Sequence, residues 1–159
     1  AYQDITIPFQ MSSKEFFAMV RDHLTEDGVM VVNMNMHTEK EGNINQYLSD
    51  TIASVFPEVY TVEVPHTTNR ELFACVKEGG PERLDRSALE PGQGELGAMM
   101  EKVAGGLSTY ERGSYLFTDD KAPVELLGMS VIDELIQNEV GYYREIFEEE
   151  GVSGLLDRL

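Results

Sequence analysis

Apolar residues near the start of the chain recur first at helical and then at strand spacing. Phe16, Phe17, Met19, Val20 and Leu24 form one stripe at helical spacing. Ser12, with Glu15 three residues on, makes a capping box and predicts Ser12 as the N-cap. Thr25-Glu26-Asp27-Gly28 closes the helix, with Gly28 suited to the left-handed position that ends one. Val29–Met34 then forms a nearly continuous apolar run rich in β-branched residues. Such a run predicts a strand covered on both faces, as in a parallel sheet between helix layers. Helix, tight glycine turn and buried strand together read as the closing half of a β-α-β unit.

Further along, residues 35–42 are polar and read as a loop. Ile44, Tyr47, Leu48, Ile52, Val55 and Phe56 trace a second amphipathic helix, which Pro57 ends. Residues 59–65 and 71–78 read as two strands. The link of about five residues between them suits an antiparallel hairpin, since a parallel partner needs a crossover of a dozen or more. His66 falls in that turn. Residues 82–89 suggest a short helix. Leu96, Met99, Met100, Val103, Ala104 and Leu107 suggest a longer one, ended by Gly105-Gly106. Residues 114–117 read as a short extended piece. The tail reads as two helical segments, the first carrying Val124, Leu127, Val131, Leu135 and Ile136, the second Tyr142, Tyr143, Ile146 and Phe147. Met99, Met100 and the tyrosine pair fit core or interface positions. The expected architecture is α/β: a partial Rossmann sheet of about three strands, with a terminal antiparallel hairpin and C-terminal helices. No strand, glycine-rich turn and helix N-terminus follow one another as a nucleotide cradle requires, and the pairs Gly79-Gly80 and Gly105-Gly106 do not supply one.

Composition narrows the function classes. The formal charge is −17, from 29 acidic and 12 basic residues, and no basic cluster offsets it. Such a surface repels phosphate backbones, so no nucleic-acid partner is expected, and its field favours cations such as polyamines. No apolar run is long enough to span a membrane, and no secretory leader is recognisable at the start, so a cytoplasmic protein is expected. Cys75 is the single cysteine and lies in an apolar run, which suits a buried thiol in a reducing compartment. His23, His37 and His66 have no metal-ligand spacing, so no metal site is expected. Asp119 and Asp120 suit two roles, binding a cationic substrate or capping a helix that begins near Pro123. An unpaired inner edge of Val29–Met34 points to association of copies, a homo-oligomer.

Two stretches resemble a known family. Ala1-Tyr2-Gln3-Asp4-Ile5-Thr6-Ile7-Pro8, then Lys14-Glu15-Phe16-Phe17, Val20, Leu24, Asp27-Gly28 and Val29–Asn33, resemble the middle of spermidine synthase-like proteins. Phe117-Thr118-Asp119-Asp120-Lys121-Ala122-Pro123-Val124-Glu125 is similar to a segment common in their bacterial members, and residues 59–74 also fit. The resemblance implies that residues 1–125 are the C-terminal half of a Rossmann-type domain and residues 126–159 a helical extension. It implies aminopropyl transfer from decarboxylated S-adenosylmethionine, the co-substrate, to a diamine. Asp4 would be the catalytic carboxylate, with Tyr2, Gln3, Asp119, Asp120 and Glu125 binding the cationic amine. No cofactor is expected in this chain, which lacks the nucleotide loop and would be inactive alone. A non-catalytic interaction domain and an S-adenosylmethionine-dependent methyltransferase stay open as alternatives.

Overall fold

The computed structural model describes residues 8–35, 40–67, 69–80, 82 and 94–156. A 3-10 turn at Phe9–Met11 leads into helix α1 (Lys14–His23). The helix is capped by Ser13, whose hydroxyl accepts from the Phe16 N–H at 3.2 Å. Ser12, expected to cap it, instead donates to the Phe9 carbonyl at 2.8 Å and is fully buried. Pro8 fixes the chain into the 3-10 turn, so the helix starts one residue later than its capping pattern suggests. Gly28 ends the following turn without a positive φ. Its need for glycine is close approach: a Cβ there would lie 2.7 Å from Leu24 Cβ and 2.9 Å from the Thr25 carbonyl.

Strand β1 (Val29–Met34) pairs antiparallel with β3 (Arg70–Cys75), which pairs antiparallel with β2 (Glu58–Glu63). Two further residues, β4 (Ser108–Thr109), extend the sheet beyond β2, giving the order β1-β3-β2-β4. Among the described residues the sheet thus has four strands rather than three, and every pairing in it is antiparallel. The hairpin between β2 and β3 is as expected, and His66 holds φ 62° in its turn. β1 and β2 point the same way with β3 between them, so two co-directional strands are separated by an inserted one. Residues 114–117 pair with no strand, and the proposed helix at 82–89 lies outside the described residues, except residue 82.

Helix α2 (Ile44–Ala53) is capped by Asn43, which accepts from the Gln46 N–H at 3.0 Å. Helix α3 (Gly94–Gly106) carries Met99 on an exposed face rather than in the core. Helix α4 (Val124–Leu156) is one element, where two segments were expected, and it breaks only at Gly151 (φ 67°, ψ −159°). Gly141 alone, costing about 1 kcal/mol relative to alanine, does not interrupt it. Tyr142 is exposed, not core.

The core lies on one face of the sheet. Phe17 from α1, Ile44, Leu48 and Ile52 from α2, and Val124 and Val131 from α4 close over Met34, Val59, Leu72 and Ala74, with Phe117 among them. On β1, Met30, Val32 and Met34 face this core, while Val29 and Val31 on the opposite face are 41% and 54% exposed. The expectation of a strand buried on both sides therefore fails for this chain. β1 is an edge strand, and nothing among the described residues covers its outer face.

Candidate functional site

Two segments remote in sequence, residues 13–15 and 117–121, meet at the start of α1. α1 runs back along the sheet and drops into β1 through the Gly28 turn, so the start of α1 lies towards the carboxyl end of β1. Onto the start of α1 folds a tight turn, in which Thr118 and Lys121 exchange backbone hydrogen bonds at 3.1 and 2.9 Å. Asp119 and Asp120 form its tip. The Lys14 N–H donates to the Phe117 carbonyl at 2.9 Å. The Ser13 hydroxyl donates to the Asp119 carboxylate while accepting from the Phe16 N–H. In return the Asp119 N–H donates to Glu15 Oε2 at 3.1 Å. Ser13 and Asp119 are 106 residues apart in sequence.

Asp119 thus engages the first turn of α1 through Oδ1, not the helix that begins after Pro123. The capping role considered for it there is not what forms. Asp120 is exposed at the turn's tip, and Glu125 is exposed in the first turn of α4. Tyr2, Gln3 and Asp4 lie outside the described residues. The fold therefore brings Asp119, Asp120 and Glu15 to one place and puts Glu125 a few residues along the chain from it. Exposed carboxylates at such a position hold an ammonium group by charge and hydrogen bonding.

What positions the turn was not foreseen from the sequence. Asp50 on α2 is 1% exposed and accepts from the Tyr110 hydroxyl at 2.8 Å, the Gly113 N–H at 2.7 Å and the Tyr115 N–H at 3.0 Å. Next to it, Thr51 Oγ1 accepts from the Phe117 N–H at 2.9 Å and donates to the Tyr47 carbonyl at 2.6 Å. The Tyr47 ring lies 4.9 Å from that of Phe117, centroid to centroid. These contacts strap residues 110–117 across α2 and deliver Asp119 to Ser13. Gly113 fits because a Cβ there would sit 2.6 Å from Asp50 Oδ2. The sequence held a signal for Thr51, which sits within the apolar stripe of α2, but none for Asp50, which helical spacing puts on the polar side. Burial and the hydrogen bond to Asp50 push the Tyr110 phenol above its ordinary range.

A second carboxylate is used in a similar way. Glu58 accepts from the N–H groups of Gly79 and Gly80 at 3.1 and 3.3 Å. That glycine pair therefore offers its amides to the protein's own side chain and not to a phosphate. Burial, followed by the neighbouring Glu58, pushes Tyr60 up to about 12.

Along the free edge of β1 runs an open groove of about 410 Å³, lined by Met11, Phe16, Val20, Met30, Val31 and Asn35 among others. Its lining draws on both faces of β1, so it follows the strand's unpaired edge. Within it Asn35 Oδ1 is buried and accepts no hydrogen bond from the described residues. Among the described residues no group of three or more His, Cys, Asp or Glu side chains is placed to hold a metal ion, and no helix is long and apolar enough to cross a membrane.

No family model matches the chain, and no solved structure matches it. Among curated proteins, it is 51% identical, over 98% of its own length, to the "Probable polyamine aminopropyl transferase" of Bifidobacterium longum (strain NCC 2705). It spans 39% of that protein's length. The resemblance carried by the two stretches thus extends through nearly the whole chain, which is similar to part of a probable polyamine aminopropyl transferase, spermidine synthase-like in kind.

Proposed function

We propose that this chain forms the closing part of a Rossmann-type aminopropyltransferase domain, with the adenosyl group of decarboxylated S-adenosylmethionine held by protein outside these residues. The observation that carries the proposal is the Ser13–Asp119 contact. It joins the two family-like stretches, remote in sequence, at the carboxyl end of β1. The sheet supports the same reading: β1 and β2 are co-directional, β3 is inserted between them, and the edge of β1 is free to continue into further strands.

In this site Asp119, Asp120 and Glu125 hold the cationic diamine, and Tyr2 and Gln3 line the amine's approach. The neutral amine nitrogen attacks the aminopropyl carbon bonded to the sulfonium sulfur. The new C–N bond forms as the C–S bond breaks, and methylthioadenosine leaves with the electron pair. Asp4 takes the proton released from the nitrogen. Since the sulfonium is already an activated leaving group, alignment and deprotonation are what the protein must add.

Assay of the longer protein that contains this chain, with decarboxylated S-adenosylmethionine and putrescine, tests the proposal. Asp4→Asn is expected to lower kcat by about 10²–10⁴-fold, the usual worth of a positioned base. Asp120→Asn is expected to raise KM for the amine with a smaller effect on kcat. Methyl transfer from S-adenosylmethionine, with no aminopropylated product, would replace the proposal with the methyltransferase alternative. The chain by itself is expected to show no calorimetric binding of methylthioadenosine, and tight binding would refute the placement of the nucleotide site outside it.

A further inference from the structure

The long helix α4 has two unlike sides. On one, Val124 and Val131 are buried against the body of the protein. On the other, Leu126, Met129, Ile136, Val140 and Phe147 are all between 51% and 69% exposed. Together with Asp133 and Tyr143 these positions step by three and four residues without a break from 126 to 147. That is the a/d pattern of a coiled-coil seam sustained for three heptads, about the shortest length that supports one. The helix carries many acids, yet Glu134, Glu145, Glu148 and Glu149 fall on the outer positions of the heptad, and only Asp133 interrupts the seam before Glu150.

We propose that α4 is a self-association helix, and that it pairs antiparallel with α4 of a second copy. The seam is complementary to itself when reversed over residues 129–147, with Leu126 opposite Glu150 at either end. Met129 then faces Phe147, Ile136 faces Val140, and Asp133 faces Tyr143, whose hydroxyl is a donor for the carboxylate. A parallel pair would set Asp133 against Asp133 in the middle of the seam. It would also bring two bodies side by side, residues 1–123 of each having a formal charge of −10. The body covers only the first part of α4, because from residue 132 to 150 Ile146 is the one buried residue among those whose burial is described. The projecting half of one helix is therefore free to lie along the outer face of the other's docked half, with the charged bodies at opposite ends. This inference is independent of the transferase proposal and of the free edge of β1.

Sedimentation equilibrium on this chain tests it. The expected mass is twice that of one chain, falling to one chain in the double variant Ile136→Lys, Val140→Lys. Both side chains are exposed, so circular dichroism should confirm that the variant keeps its fold. Val31→Lys, at the edge of β1, is expected to leave the dimer intact. A monomeric wild-type chain at high concentration would assign the stripe to another segment of a longer polypeptide and overturn the proposal. So would a dimer lost in Val31→Lys but retained in the helix variant. Orientation is read by mixing Met129→Cys chains with Phe147→Cys chains under oxidation. Disulfides between the two kinds support the antiparallel pair, whereas disulfides only within each kind overturn it.

Discussion

A carboxylate with no water around it must be given donors by the protein, and Asp50 receives three from one loop. Removing it strands the Gly113 and Tyr115 amides and the Tyr110 hydroxyl. Asp50→Ala is expected to cost about 3 kcal/mol in urea unfolding, since each buried orphan group is worth roughly 1–3 kcal/mol. Thr51→Val, which removes the acceptor for Phe117, should cost about 1 kcal/mol. If both variants unfold like the wild type, the strap across α2 contributes nothing. The phenols make a separate prediction. Tyr60, and Tyr110 further, ionise above the ordinary value of 10.0 in the folded protein, chiefly through burial. The unfolded chain therefore releases these protons first. Stability that is intact below pH 10 is expected to fall as pH rises through about 12. Near-ultraviolet absorbance titration, with Tyr60→Phe as the control, should show a phenol that ionises late and is missing in the variant.

At the level of elements, the first helix shows how a local pattern can be right in kind and displaced by one residue. Ser12 and Ser13 both precede α1, and only the 3-10 turn set by Pro8 decides which of them caps it. Ser13→Ala is expected to lower stability by about 1 kcal/mol, as a lost N-cap does, and to loosen the Asp119 turn that Ser13 also holds. Amide exchange at Phe16 and Asp119 reads both effects. Equal protection of the two amides in wild type and variant would argue against a shared anchor. The end of α4 depends on one residue in a similar way. Gly151 takes φ 67° with ψ −159°, a region open essentially to glycine. Gly151→Ala should therefore cost about 1–3 kcal/mol locally or let the helix continue straight. Either result would show as altered amide protection after residue 150, and unchanged protection would contradict the break.

For the molecule as a whole, charge is the largest collective term. A body carrying −17 works against its own compactness, and that repulsion is screened within about 10 Å at 0.1 M salt. Thermal stability is expected to rise with sodium chloride between low and moderate ionic strength, and a flat profile would mean that the carboxylates are already neutralised locally. Under the proposed function, the same field would draw a diamine towards the carboxylates around Asp119 and Asp120. Screening should then raise KM for the amine in the longer protein while kcat changes less.

Periodicity along the chain was enough for α1, α2, α3, the β2–β3 hairpin and the helical tail, because each buries a face whose spacing is local. The resemblance to spermidine synthase-like proteins was also legible, since it rests on short stretches of similarity such as residues 117–125. Tertiary structure alone decided the rest. An apolar run such as Val29–Met34 states that a strand wants cover, but not whether this chain provides it, and among the described residues one face and one edge stay open. Likewise no local pattern ties Asp119 to Ser13 or Asp50 to Gly113. These contacts join residues 63 and 106 positions apart, and only the packing of α2 and α1 against one face of the sheet brings them within hydrogen-bonding distance. The physical reason is the range of the forces involved. Propensity, capping and amphipathic spacing act over a few residues, whereas burial and hydrogen-bond satisfaction are settled by neighbours that the chain meets only once it has folded.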